Sequence, residues 1–232
     1  MIRAIHVVIP ARDEEQLLPG CLASIERARV ALRATRPDLL VDVTVVLDGC
    51  RDGSDLVVEA ARVHGLTVDF GMVGATRDAG VRWALQSSAR NGVAAEDLWI
   101  ACTDADTVVP RHWLVRQAEL AANHDAIIGT VEPLGLTDAT VLARWRARHH
   151  LGEGHPHVHG ANLGVRASTY LEVGGFLPVD RNEDVDLVRR IRAHTHRWTA
   201  TDTVRVASSA RRVGRCRGGF ADAIVALEDE AG

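Results

Sequence analysis

The chain has 232 residues, 47% of them apolar and 25% charged, a globular composition that suits one domain with a sizeable core and excludes disordered or fibrous architectures. A formal charge of −4 gives no general attraction to nucleic acid or an anionic membrane, so any anion site is local. All 27 basic residues are Arg, which excludes mechanisms that need a lysine amine, and Cys21, Cys50, Cys102 and Cys216 form neither a zinc ribbon nor a disulfide framework.

A reduced, cytoplasmic protein is the simplest reading, because no signal-like leader precedes the first strand pattern and no apolar run nears the roughly 20 residues that span a bilayer. Any contact with a membrane would be made from solution, peripherally. Ile5–Ile9 is short, apolar and β-branched, and reads as a buried strand closed by Pro10. From Gln16 to about Arg36 apolar residues recur at three- and four-residue spacing, the pattern of a helix with one buried stripe. Val41–Leu47 is a second strand, a turn-rich segment follows it, and a helix is expected over about Asp55–His64. The cycle repeats with a strand near Leu66–Phe70, a helix near Thr76–Ala89 and a strand over Leu98–Cys102. Such alternation argues for a mostly parallel sheet.

Pro110 opens a helix reaching about Ala122, and Ala126–Val131 is a further strand. Regularity then weakens. A short helix is expected over Arg144–Arg148, a loop over Gly152–Gly160 and a strand over Ala161–Val165. A helix over Glu183–Ala193, a last strand over Thr203–Ala207 and a terminal helix over Ala221–Leu227 complete the pattern.

Ligands of open α/β sheets bind beyond the carboxyl ends of the strands, and here those ends are acidic. The first strand is followed by Asp13, Glu14 and Glu15, the second delivers Asp48 and Asp52, and the Leu98–Cys102 strand delivers Asp104 and Asp106. Any one of these acids alone reads as a cap or loop acid. The triplet Asp104-Ala105-Asp106, a D-x-D at a strand end, is the sharpest signal, since two such carboxylates suit a hard divalent cation, Mg²⁺ or Mn²⁺.

In order along nearly the whole chain, these segments resemble the family 2 glycosyltransferases. That resemblance implies a single GT-A (Rossmann-like) α/β domain over 1–232, a mostly parallel sheet flanked by helices with an irregular acceptor-side C-terminal part. Residues 1–107 would bind the nucleotide-sugar, and 108–232 the acceptor. Val7-Val8-Ile9-Pro10-Ala11-Arg12-Asp13-Glu14-Glu15 is similar to the family's first-strand motif, which places Pro10, Ala11, Arg12 and Glu14 at the nucleotide. Asp48 matches the acid that hydrogen-bonds a uracil-type base, Arg77 lies where the family has an arginine near the nucleotide, and Asp104, Ala105 and Asp106 match its metal triplet. Gly160-Ala161-Asn162 and Val173-Gly174-Gly175-Phe176 are similar to its acceptor-side pattern, with Glu183-Asp184 following. The resemblance implies Asp184 as general base, an inverting transfer from a UDP- or GDP-sugar, and a small-molecule, glycan or lipid-linked acceptor. Leu47-Asp48-Gly49-Cys50 departs from the family, many members of which have a second acid and a serine there.

Two segments carry open alternatives. His155, His157 and His159 alternate, which puts them on one side of an extended chain as a metal ligand, acceptor contacts or a polar loop. His159 or His196, with His194 beside the latter, is a candidate further metal ligand. Arg211, Arg212, Arg215 and Arg217 lie within seven residues, and the run, with Arg212 as its binding residue, either clamps the donor diphosphate or is a solvated turn. Asp104-Ala105-Asp106-Thr107-Val108 also resembles the nucleophile motif of haloacid-dehalogenase-type phosphatases, which leaves the other motifs unexplained. Nucleotidyltransferases usually need the lysine this chain lacks, and a non-catalytic nucleotide-sugar-binding protein would need no Asp184.

Overall fold

A computed structural model describes residues 1–179, 181–212, 214 and 224–227. The elements are β1 (Ala4–Ala11), α1 (Leu18–Thr35), β2 (Leu40–Asp48), α2 (Ser54–Ala61), β3 (His64–Val68), α3 (Val73–Arg90), β4 (Leu98–Cys102) and β5 (Thr107–Val108). They continue with α4 (Trp113–Leu120), β6 (Ala126–Leu134), α5 (Ala139–Arg148), β7 (Leu163–Arg166), α6 (Ala167–Glu172), α7 (Glu183–His194) and β8 (Trp198–Ser209). The strands form one mixed sheet in the order β3-β2-β1-β4-β7-β6-β8-β5. β3, β2, β1 and β4 are mutually parallel, as the alternating sequence pattern implies. β7 then runs antiparallel between β4 and β6, and β5 antiparallel to β8.

Strand alternation builds a core on each face of the sheet. Ile5, Val7 and Ile9 of β1 join Trp99 and Ala101 of β4 under α1, α2 and α4, where Leu18, Ile25, Val58, Trp113 and Leu114 meet them. Val8, Ile100 and Cys102 point the other way and pack with Val81 and Ala84 of α3, Tyr170 of α6 and Leu187 and Ile191 of α7. The close seat of α3 depends on Gly80, where a Cβ would stand 2.5 Å from Val8 Cγ1 and 2.9 Å from Val46 Cγ2.

Several boundaries differ from the sequence expectation for local reasons. Pro10 lies inside β1 rather than after it; pairing with β4 stops at Val8, so a missing N–H disturbs little there. α2 ends at Ala61 because Arg62 takes a left-handed conformation, and His64, expected in the helix, opens β3. α5 begins five residues before Arg144, with Asp138 capping it by accepting from the amides of Thr140 and Val141. Of the expected 161–165 strand, Gly160–Asn162 form a 3-10 turn before β7. α6 and the two-residue β5 have too little periodicity to read from sequence. Residues 224–227 of the expected terminal helix are helical and pack Ile224 and Leu227 on Val141 and Trp145 of α5; its start lies outside the described residues.

Candidate active site

Two acidic loops after β1 and β2 are laced together by their own carboxylates. Asp13 accepts from the Arg51 amide (2.7 Å), Asp52 from the Glu15 amide (2.9 Å), and Glu15 from the Gly53 amide (2.8 Å). These acids are loop ties, the ordinary role for Asp and Glu in turns. Asp48 is buried, and its carboxylate accepts from the amides of Phe70 (2.7 Å) and Gly71 (3.1 Å) and from the Thr76 hydroxyl (2.7 Å). It thereby folds the segment between β3 and α3 over the end of β2. Arg12 is exposed on the same side; a Cβ on Gly71 would lie 3.7 Å from its Nη1. Pro10 and Ala11 form the end of β1 beneath it.

The Asp104-Ala105-Asp106 turn joins β4 to β5, with Ala105 buried and the Thr107 amide donating to the Asp104 carbonyl (3.1 Å). Asp104 is one-third exposed and Asp106 12% exposed. Burial, with the neighbouring Asp104 charge added, pushes the Asp106 carboxyl above the usual range, opposed by Arg211. The turn supplies two oxygen-donor groups, and no group of three His, Cys, Asp or Glu side chains among the described residues is disposed to hold a metal. That set fits Mg²⁺ or Mn²⁺, which take one or two carboxylates and complete their shell with phosphate oxygens and water.

Arg77 connects this turn to the first turn of α7. Its guanidinium, 4% exposed, contacts Asp104 Oδ1 (Nη2, 2.5 Å) and, through Nη1, Glu183 Oε1. The Phe176 ring centroid lies 5.9 Å from Arg77 Cζ, and Gly160 lies against it so closely that a Cβ there would stand 2.6 Å from Cζ. Burial raises the Glu183 carboxyl, with Arg77 opposing the shift. Gly160 also donates its amide to Asp184 Oδ2 (2.7 Å), while the Val185 amide donates to Oδ1 (2.8 Å). Both acids sit in the first turn of α7, where the helix dipole favours negative charge. The Asp104–Asp106 turn and the α7 acids are thus linked through Arg77 and Gly160.

Residues 6–163, more than half of the chain, match the model of Glycosyl transferase family 2. The chain belongs to that family. The fold agrees with solved structures of low identity. S. aureus TarS 1-349 in complex with UDP-GlcNAc superposes with a TM-score of 0.66 at 14% identity, over 99% of this chain and 66% of that one. Mannosyltransferase PcManGT from Pyrobaculum calidifontis, in complex with GDP-Man and Mn²⁺, gives 0.61 at 20% identity over 91% and 58%. Glucosyl-3-phosphoglycerate synthase from Mycobacterium tuberculosis, with Mn²⁺, UDP and glucosyl-3-phosphoglycerate, gives 0.57 at 15% identity over 98% and 79%. In two further TarS structures the chain spans only 61% and 37% of that protein's length. No curated protein matches the sequence.

Other expected site residues of this family 2 glycosyltransferase are placed differently. Asn162, expected at the acceptor, is 1% exposed and ties the core: its amide donates to the carbonyls of Thr130 and Val204 (2.8 Å each) and it accepts from Trp113 Nε1 (3.1 Å). Its neighbour Ala161 is likewise buried. His194 ends α7 and His196 follows it at the amino end of β8, beside the start of β6 and therefore at the opposite end of the sheet from Asp104; His194 pairs with Glu172, and neither joins the acid turn. His155, His157 and His159 do share one side, but as a file of rings 6.0 and 6.2 Å apart that His149 and Trp145 extend. Stacked rings do not aim their nitrogens at one ion, so the three histidines do not converge on a metal with one another. His159 still adjoins the site, since the Asp184 charge acts on it; burial holds its pKa down at about 4 against that charge. In the basic run Arg211 reaches the acids Glu14 and Asp106, and Arg212 beside it is exposed. Arg215 and Arg217 lie outside the described residues. The signal that could have singled out Arg211 is the β8 pattern: β8 pairs with β5, which follows the acid turn directly. No helix among the described residues is long and apolar enough to cross a membrane.

Proposed function

We propose that this chain transfers a sugar, with inversion, from a UDP- or GDP-sugar to an acceptor hydroxyl, using Asp184 as the general base. The observation carrying this reading is the Arg77–Gly160 joint, through which Asp104 and Asp184 are linked. On the donor side, Asp106 with Asp104 would hold Mg²⁺ or Mn²⁺, and a bound ion supplies charge stabilisation to the departing diphosphate. Pro10, Ala11, Arg12 and the loop ordered by Asp48 line the place for the nucleoside. On the acceptor side, an Asp184 oxygen takes the proton from the attacking hydroxyl, while the amides of Gly160 and Val185 fix its carboxylate. Backbone donors leave each Asp184 oxygen a lone pair for that proton. The neighbours solved with UDP-GlcNAc, GDP-Man and UDP with Mn²⁺ are consistent with either nucleotide. The acceptor class extends to small molecules, glycans and lipid-linked molecules met from solution, in the cytoplasm or peripherally at a membrane.

The test is a thermal-shift screen of UDP, GDP and their sugars with and without Mn²⁺, since specific binding raises stability by mass action. A manganese-dependent shift with one nucleotide is expected; no shift with any of them overturns the reading. Asp184→Asn should retain that shift and lose transfer. Undiminished transfer by this variant would remove Asp184 as base, and wild-type binding without transfer to any acceptor would favour a binding protein.

A further inference from the structure

The acid pocket already contains a cation. Arg211 Nη1 lies 2.7 Å from Glu14 Oε1 and 2.8 Å from Oε2, and its Nη2 lies 3.1 Å from Asp106 Oδ2. Glu14 is 5% exposed and Asp106 12%, so two carboxylates from different loops are held together with little solvent to screen them. A counter-charge is required, and the guanidinium provides it. Arg211 itself is 24% exposed, and β8 has already ended at Ser209. The last backbone tie before it is the Ala210 amide donating to the Leu134 carbonyl (2.9 Å). The side chain is therefore anchored by its charge contacts at the end of a strand, where a turn about its own bonds releases it.

We propose that Arg211 is an exchangeable internal cation, which neutralises Glu14 and Asp106 in the donor-free enzyme and moves to the donor diphosphate when a divalent ion takes Asp106. The inference rests on the nucleotide-sugar reading above and adds a step to loading. The Asp106 contact is the longest of the three and the first to yield. Nη1 alone meets both Glu14 oxygens and Nη2 meets Asp106, and the same two-nitrogen fork matches a pair of phosphate oxygens, so one group serves either set of anions. Four carboxylates, Glu14, Asp104, Asp106 and Glu183, face the two guanidiniums of Arg77 and Arg211. Of the two, Arg211 is the one exposed enough to leave, since Arg77 is 4% exposed. Metal without nucleotide thus meets an Asp106 that already has a cation, and metal with nucleotide meets one whose cation gains a new anion.

The experiment is equilibrium Mn²⁺ binding, read from the paramagnetic resonance of the free ion, for wild type, Arg211→Gln and Arg211→Lys. UDP and GDP are then titrated at saturating Mn²⁺. Arg211→Gln should bind Mn²⁺ alone about fivefold tighter or more and the manganese nucleotide about fivefold weaker or more, the scale of one charge-assisted hydrogen bond. Arg211→Lys should fall between. If the glutamine variant melts lower without metal, Mn²⁺ should restore it by more than it stabilises wild type. Equal or weaker binding of Mn²⁺ alone, or a lowered melting point that Mn²⁺ leaves unrestored, overturns the exchange and makes Arg211 a structural clasp. In that case wild type still binds nucleotide with Mn²⁺. Absence of any manganese-dependent nucleotide binding in wild type overturns the site reading, and the exchange with it.

Discussion

A guanidinium buried between Asp104 and Glu183 leaves two carboxylates uncompensated when it is removed. Arg77→Met is therefore expected to lower stability by about 3 kcal/mol, measured by urea unfolding, and Arg77→Lys to recover only part because one ammonium cannot span both acids. Gly160 tests the same joint without touching charge. An alanine Cβ would meet the Arg77 guanidinium at 2.6 Å, so Gly160→Ala should displace Arg77 and reduce transfer more than it reduces nucleotide binding. Asp184→Asn keeps the geometry while removing the basic oxygen, and turnover should fall by roughly 10²–10⁴-fold with donor affinity retained. Single-turnover assays with donor binding measured separately check both.

The elements position these residues through a few close approaches. α3, which carries Arg77, packs on β1 and β2 through Gly80, and Gly80→Ala should cost about 1–3 kcal/mol by forcing the helix off Val8 and Val46. The middles of β6 and β8 are tied to α4 by Asn162. Asn162→Ala strands the Trp113 indole N–H and the carbonyls of Thr130 and Val204, a loss of roughly 2–4 kcal/mol in thermal or urea melts. At this scale the sequence was readable wherever pattern is local. The β-branched runs of β1, β2 and β4 and the apolar stripe of α1 follow from burial on known faces. β7 was readable as a strand but not as an antiparallel one, because direction is set by where α4 and β6 return the chain. Asp13, Glu15 and Asp52 look like ligands in sequence and serve as loop ties, since their partners are amides 37 or 38 residues away.

For the molecule as a whole, buried imidazoles link stability to pH. His6 bonds the Thr44 hydroxyl (2.8 Å) inside the sheet layer, and burial, with His64 adding to it, lowers its pKa to about 4 from 6.5. His159 is lowered to about 4 as well. Unfolded imidazoles take up protons near 6.5 while these resist until about 4, so their stabilisation is complete above the first value and is lost as pH falls toward the second. The expected loss is on the order of 2 kcal/mol per histidine between neutral and mildly acid conditions. Urea melts across that range should show a slope that His6→Gln reduces; an unchanged slope would show that His6 is already protonated or exposed.

By itself, the sequence determined the α/β alternation, the acidic strand ends, the D-x-D triplet and the family to which the chain belongs, because each is written in contiguous residues whose spacing selects a local structure. Only the tertiary structure decided which acids are free for chemistry. Arg77 meets Glu183 across 106 positions and Arg211 meets Glu14 across 197, and in a sequence such pairs look like any other surface charges. Burial converts them from solvated side chains into the counter-charges that hold the site together.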